Sequence, residues 1–173
     1  MMGALDGINK SAALQQKAAR SAALSRRDEV AKDDLASVKN SLCVAKLMNI
    51  WSKGRQTTFQ ILLSDDLENI VWQDASTNAK RGNVSISSIA KIVDGADPEH
   101  QRGRSLDPKR CFYICNPAGT VLALEPINPR TKTAWMTNLK TLFEHRGSSV
   151  DFTTAEAEAE AAKLVKGAAT KKK

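Results

Sequence analysis

Residues 1 to 40 contain no aromatic side chain: the three tryptophans, the single tyrosine and the four phenylalanines all lie between Trp51 and Phe152. Aromatic rings bury large areas and mark where packing happens, so the first forty residues are not expected to build a core. No run of about 18 apolar residues occurs, which leaves no candidate for a transmembrane helix. Nor does the N-terminus carry the basic stretch followed by an apolar one that a secretory signal needs. A cytoplasmic chain is expected, peripheral at most to a membrane or the cytoskeleton.

Ligand-forming residues are also scarce. Only His100 and His145 are histidines, and the cysteines are Cys43, Cys111 and Cys115. An odd number without framework spacing argues for reduced thiols. Cys111 and Cys115 lie four apart on a predicted strand and so share one face, yet a zinc site there needs distant ligands to converge, and core or surface cysteines are the better reading. No metal and no cofactor is expected. The chain has no Gly-x-x-x-x-Gly-Lys loop, no Gly-x-Gly-x-x-Gly turn, and no nucleophile and base in a motif. A binding module is expected rather than an enzyme.

What is present is a moderate positive charge. The net +7 divides as +2 over residues 1 to 40, +4 over 41 to 146 and +1 over 147 to 173. No segment is a polycation, which suits an anionic membrane surface or an acidic protein better than duplex nucleic acid. Nucleic acid is not an expected partner.

Three regions follow from the patterning. Residues 1 to 40 are rich in Ala, Lys and Arg and read as a helical, partly disordered extension. Ser25 with Asp28 resembles a capping box there, and Val30, Leu35, Val38 and Leu42 fall on one helical face. From Leu42 the period shortens and β-branched and aromatic residues take over, with turn residues every eight to twelve positions. Strands are predicted around 43–51, 57–64, 68–73, 83–86, 89–94, 110–116 and 120–125, joined by SDD, STNAKRG, DGADPEHQRGRSLDP and NPAG. At Asn128 an N-cap residue precedes Pro129 at the first helical position, so a helix starts there. Trp135, Leu139, Leu142 and Phe143 give it an apolar stripe, and Gly147 ends it. Residues 148 to 173 read as a helical extension with a basic tail, opening on a capping box of Thr153 and Glu156.

Seven short strands and one amphipathic helix with a buried tryptophan resemble the pleckstrin-homology (PH) family. The stretches SDDLENIVWQDA, SISSIAKIVDGADPE, DPKRCFYIC, TVLALEPINP and AWMTNLKTLF are similar to the PH domain at the front of phosphoinositide-specific phospholipase C, over about the central hundred residues. The resemblance implies a seven-stranded β-sandwich over residues 41 to 147, capped by the C-terminal helix, with Trp135 in the place of the hallmark helix tryptophan.

It also implies a place for a ligand. In lipid-binding members, lysines and arginines of the first two strands surround an inositol phosphate, because several phosphates need several converging donors. Here Lys46, Lys53 and Arg55 match in composition, but Arg55 lies four residues before Phe59, whereas the family sets this arginine one or two residues before the strand-two aromatic. Thr57 and Thr58 stand where that charge belongs. Lys80 and Arg81 are the second contributors, in the loop after the third strand, where a solvated turn is the alternative. Trp51 beside the first loop is open to two roles, insertion into a membrane interface or half-burial against its own sheet. The loop from Asp97 to Asp107, with His100, Arg102 and Arg104, is a further basic surface or a solvated connector.

Two functions therefore stand side by side. One is an adaptor binding phosphoinositides or anionic membrane surfaces through Lys46, Lys53, Arg55, Lys80 and Arg81. The other is a protein-interaction or cytoskeletal scaffold that uses the same fold, with the flanking helices binding protein partners in grooves.

Overall fold

Lys53 and Gly54 both adopt positive φ, 49° and 76°. This is the geometry of a two-residue hairpin loop whose twist matches that of the flanking strands, and glycine takes the second position without strain. The loop joins β1 (Lys46–Ser52) to β2 (Arg55–Leu63), and Ser52 opposite Arg55 closes it. Our computed structural model describes residues 33–100 and 107–170, with side chains as far as Lys163. The expected helix features at Ser25, Asp28 and Val30, and the loop positions Arg102 and Arg104, lie outside the described residues.

The remaining strands are β3 (Asn69–Asp74), β4 (Lys80–Ser85), β5 (Lys91–Asp94), β6 (Phe112–Asn116), β7 (Gly119–Pro126) and β8 (Asp151–Thr154). They form a sheet in the order β4-β3-β2-β1-β7-β6-β5-β8, antiparallel throughout except for the parallel pairing of β8 with β5. Residues 33–42 are helical and form α1, of which Val38 and Leu42 are buried. Two longer helices follow the seventh strand, α2 (Pro129–His145) and α3 (Ala155–Thr170). The compact unit that holds the sheet, α2 and α3 runs from Val38 to Lys173. Residues 33–37, which belong to the first unit, are the only part of it described.

The mixed sheet with flanking helices carries the seven expected strands and the expected plug. Asn128 caps α2 by accepting a hydrogen bond from the Arg130 N–H at 3.0 Å, and Pro129 opens the helix. Trp135, Leu139, Leu142 and Phe143 are all buried, as the stripe requires. Ile92, Ile114 and Leu122, which share one row across β5, β6 and β7, are buried as well.

A second, smaller core lies on the opposite face of the same strands. Trp51, Ala123, Tyr113 and Val93 stand side by side across β1, β7, β6 and β5, with Cys115 beside them and Ala155 packed against the cluster. The start of α3 reaches this face closely. A Cβ on Gly95 would lie 2.6 Å from the Ala155 methyl, so only glycine fits there.

Three sequence expectations are corrected. The extension after residue 147 opens with a strand, not a helix: β8 takes up the free hydrogen-bonding edge of β5, and Phe152 packs edge-to-face on Phe143 at 6.3 Å. The cap is therefore Thr154, which accepts from the Ala157 N–H at 3.2 Å, rather than Thr153. Trp51 is neither membrane-facing nor half-buried but buried, its indole N–H donating to Glu125 Oε2 at 3.1 Å. Finally, Lys80 and Arg81 are not in a turn. They begin β4, because Asp74 ties the turn tightly by accepting from the Ser76 and Thr77 N–H groups, and pairing resumes at Gln73 with Lys80.

Candidate functional site

The mouth of the sandwich lies at the β1–β2 turn. Ile50, Ser52, Lys53, Arg55, Thr57 and Phe59 line a cavity of about 510 Å³ there. Register explains the composition: Ile50 pairs with Thr57 and Ser52 with Arg55, so these four side chains share the face that continues downward into Met48 and Phe59. Met48 is buried and belongs to the core, while Arg55 and Thr57 are exposed. The cavity thus has an apolar floor and a rim of two cations and two hydroxyls.

The rim is held in shape from outside. The Gly54 N–H donates to the His100 carbonyl at 2.8 Å, which ties the turn to the segment after β5. That segment is anchored by Asp97, whose carboxylate accepts from the Thr120 hydroxyl at 2.5 Å and from the Glu99 and His100 N–H groups, with the His100 ring 3.3 Å away. Burial pushes the Asp97 carboxyl up, but the hydrogen bonds from Thr120, His100 and Glu99 outweigh it and hold the group below the usual carboxylate range.

The five predicted cations do not converge. Lys53 and Arg55 line the mouth together. Lys46 starts β1 opposite Ile61, at the other end of the strand, next to Leu47, whose carbonyl accepts from Ile127 just before α2 begins. Seven residues at about 3.3 Å each place Lys46 roughly 23 Å from Lys53 along the strand. Lys80 is level with Gln60 through Gln73, five positions down β2 from Arg55 and two strands away. Arg81 is engaged by Asp74 Oδ2 at 3.2 Å. The Asp74 carboxyl is held far below the usual range by the Ser76 hydroxyl first, then by the Ser76 and Thr77 N–H groups and by Arg81.

Sequence reasoning singled out Lys53 and Arg55 but gave no role to Ser52. Its signal was present: a Ser-Lys-Gly-Arg run with glycine in third place is a two-residue hairpin, and such a turn sets the residues on either side of it opposite each other. Thr57, noted only as standing in place of a charge, lines the same cavity.

Two other cavities differ in charge, each having carboxylates in its lining. One of about 550 Å³, between the segment after β5, the β6–β7 turn and α3, is lined by Asp97, Glu99 and Glu158, and its Lys91 is paired with Glu158 at 2.6 Å. Another of about 420 Å³ contains Lys109 and Lys132, but also Asp94 and Glu156. Lys132, buried on α2, pairs with Asp94 and donates to the Lys109 carbonyl at 2.9 Å. Among the described residues no group of three or more His, Cys, Asp or Glu is placed to hold a metal ion. Among them, too, no helix is long and apolar enough to cross a membrane.

No protein-family model matches the sequence, and no curated protein does. Solved structures do. The chain is similar to the PH domain from TgAPH, with a TM-score of 0.50 and 14% identity, over 69% of this chain and 95% of that one. It is also similar to the PH domain from PfAPH, with a TM-score of 0.48 and 13% identity over 65% and 90% of the two chains. A third match is sub-compartment protein 1 of the inner membrane complex from Toxoplasma gondii, with a TM-score of 0.46 and 15% identity over 64% and 90%. The first likeness, read with the strand order and the α2 plug, shows a PH-like fold.

Proposed function

We propose that this PH-like chain is a non-enzymatic adaptor that attaches peripherally to an anionic membrane surface, including phosphoinositide-bearing ones, with the β1–β2 mouth facing the lipid. The observation that carries the reading is the mouth cavity, where Lys53 and Arg55 line an opening with no carboxylate among its lining residues. In the other two cavities the lysines share the lining with carboxylates. Lys46, Lys80 and Arg81, which the resemblance also suggested for phosphoinositides, act in this reading as remote contributors to the field and not as first contacts. The motif likeness to the domain at the front of phosphoinositide-specific phospholipase C supports kinship with lipid-binding members of the fold.

One exposed apolar side chain, Val121, fits the same orientation, while Val44, Leu47 and Ile127 lie toward the Lys46 end of β1. Trp51 pairs with Ala123, so two residues further along the antiparallel strands Lys53 is level with Val121, which is partly exposed. A turn lysine with an exposed apolar residue at the same end of the sheet is a combination that interfacial binding uses. Flotation of the full chain with phosphatidylcholine vesicles, with and without phosphatidylserine and phosphoinositides, tests the proposal. Co-flotation only with anionic vesicles is expected, and failure with every anionic composition sinks it.

A protein scaffold is the second reading, and one feature favours it. After Glu158, residues Ala159 to Lys163 of α3 are all exposed, so this stretch of helix stands away from the sheet with its sides available to a partner. Flotation of the full chain and of a chain without residues 159–173 separates the two readings: vesicle binding that survives the truncation is expected under the first, and a full chain that ignores every vesicle leaves the second.

A further inference from the structure

We infer that the mouth is built for one phosphate monoester rather than for the two or three of a polyphosphorylated headgroup. This inference rests on the membrane reading above and deepens it. A phosphate monoester carries about two negative charges near neutral pH. The cavity lining holds two cations, Lys53 and Arg55, and two hydroxyl groups, on Ser52 and Thr57. The charges match one such group. The three N–H donors of the single Lys53 ammonium and the planar fork of Arg55 serve its oxygens, and the hydroxyls can donate to what remains.

A second monoester would bring about two more charges with no further cation among the described residues that line the cavity. The other three cations that the resemblance suggests for this task are held elsewhere. Lys46 lies roughly 23 Å from Lys53, more than two Debye lengths at physiological salt. Lys80 lies about 17 Å down the β2 direction from Arg55, counted through Gln60. Arg81 is spent on Asp74, which also receives the Ser76 hydroxyl at 2.6 Å and two backbone N–H groups and so stays ionised.

The two-residue turn limits the ligand as well. Gly54 donates its N–H to His100, so the turn's backbone is tied down on the outer side and cannot open into a longer cradle of amides around a larger headgroup. Phosphate contacts come from the side chains of Ser52, Lys53, Arg55 and Thr57. The lipid source of the group is a headgroup with a single monoester phosphate, and the soluble source is a free phosphate ester.

The test uses the full chain, phosphatidylcholine vesicles doped with phosphatidylserine, a phosphatidylinositol monophosphate or a phosphatidylinositol bisphosphate at equal total charge, and inorganic phosphate in solution. Tighter, saturable binding to the monophosphate vesicles than to the other two is expected, with amide shifts clustered at Ser52 to Thr57. Lys53→Gln or Arg55→Gln should each weaken it at least about fivefold, and Lys46→Gln much less, because a cation near the surface adds about that factor and a remote one is screened. Both mouth residues are exposed, so these variants should keep the wild-type melting curve. Preference for the bisphosphate, or equal binding to all anionic vesicles at matched charge, overturns the inference and leaves the membrane reading intact. If no vesicle binds while inorganic phosphate shifts the same amides, the membrane reading fails and the single-phosphate site stands with a soluble ligand. Silence in every arm overturns both.

Discussion

Trp51 donates its indole N–H to Glu125 Oε2 at 3.1 Å, and Asn49 Nδ2 donates to the same oxygen at 3.1 Å. The Thr58 hydroxyl completes the set by donating to Asn49 Oδ1 at 2.8 Å. This network spans β1, β2 and β7, and its carboxylate is buried without a cation among its partners. Trp51→Phe keeps most of the packing but strips one donor from Glu125. It should cost about 1 to 3 kcal/mol in urea unfolding, the penalty for an under-satisfied buried acceptor. Pairing it with Glu125→Gln in a double-mutant cycle should show coupling, and strict additivity would mean that the hydrogen bond contributes nothing.

Trp135→Ala should cost about 3 to 5 kcal/mol, because a fully buried ring on α2 leaves a cavity that the sheet cannot close around. That is a large share of the 5 to 15 kcal/mol typical of a domain, so a broad or absent thermal transition is the expected result. A melt close to wild type would contradict the role of α2 as the plug.

Acid should weaken the segment that carries His100. The Asp97 carboxyl sits below its unfolded value of 3.8, so it contributes stability that is complete above that value and is lost as pH falls through the lower folded one. Stability measured by chemical denaturation should therefore drop as the pH is taken below about 4, and Asp97→Asn should show a shallower drop from a lower starting point. An identical acid profile in the variant would remove Asp97 from the account.

Ending the chain after Val150 should lower the melting temperature, because it exposes the β5 edge, removes the Phe152 contact with Phe143 and uncovers the cluster of Trp51, Tyr113 and Cys115 near Ala155. Ending it after Glu158 should lower the melt far less, since residues 159–163 are exposed and the Lys91 pair with Glu158 is kept. The comparison of the two truncations by thermal melt decides whether β8 is integral to the fold.

Arg81→Gln should alter vesicle affinity less than about twofold, because a guanidinium already paired with a carboxylate adds little field at the surface. Should it rival Arg55→Gln in flotation, the ligand must reach across to β4 and the mouth would have to be redrawn.

Local chemistry made much of this protein legible in its sequence. Asn128 and Pro129 start α2 whatever lies around them, and the spacing of Trp135, Leu139, Leu142 and Phe143 places one face inward by helical geometry alone. The strands likewise followed from alternation and from turn residues. Lys53 and Arg55 are singled out through the resemblance to the PH family, and they meet at the mouth because the turn between Ser52 and Arg55 is only two residues long. Long-range pairing decided the rest. Whether residues 151–154 form a helix or a strand depends on the free edge of β5, which no local pattern reports. Lys46 looks like a partner of Lys53 on the page, and only strand register shows that they stand at opposite ends of β1. Trp51 could face lipid or protein until β7 placed Glu125 beside it. Propensity and capping act over a few residues, whereas a site is assembled by strands distant in sequence, so its membership is set by the tertiary fold.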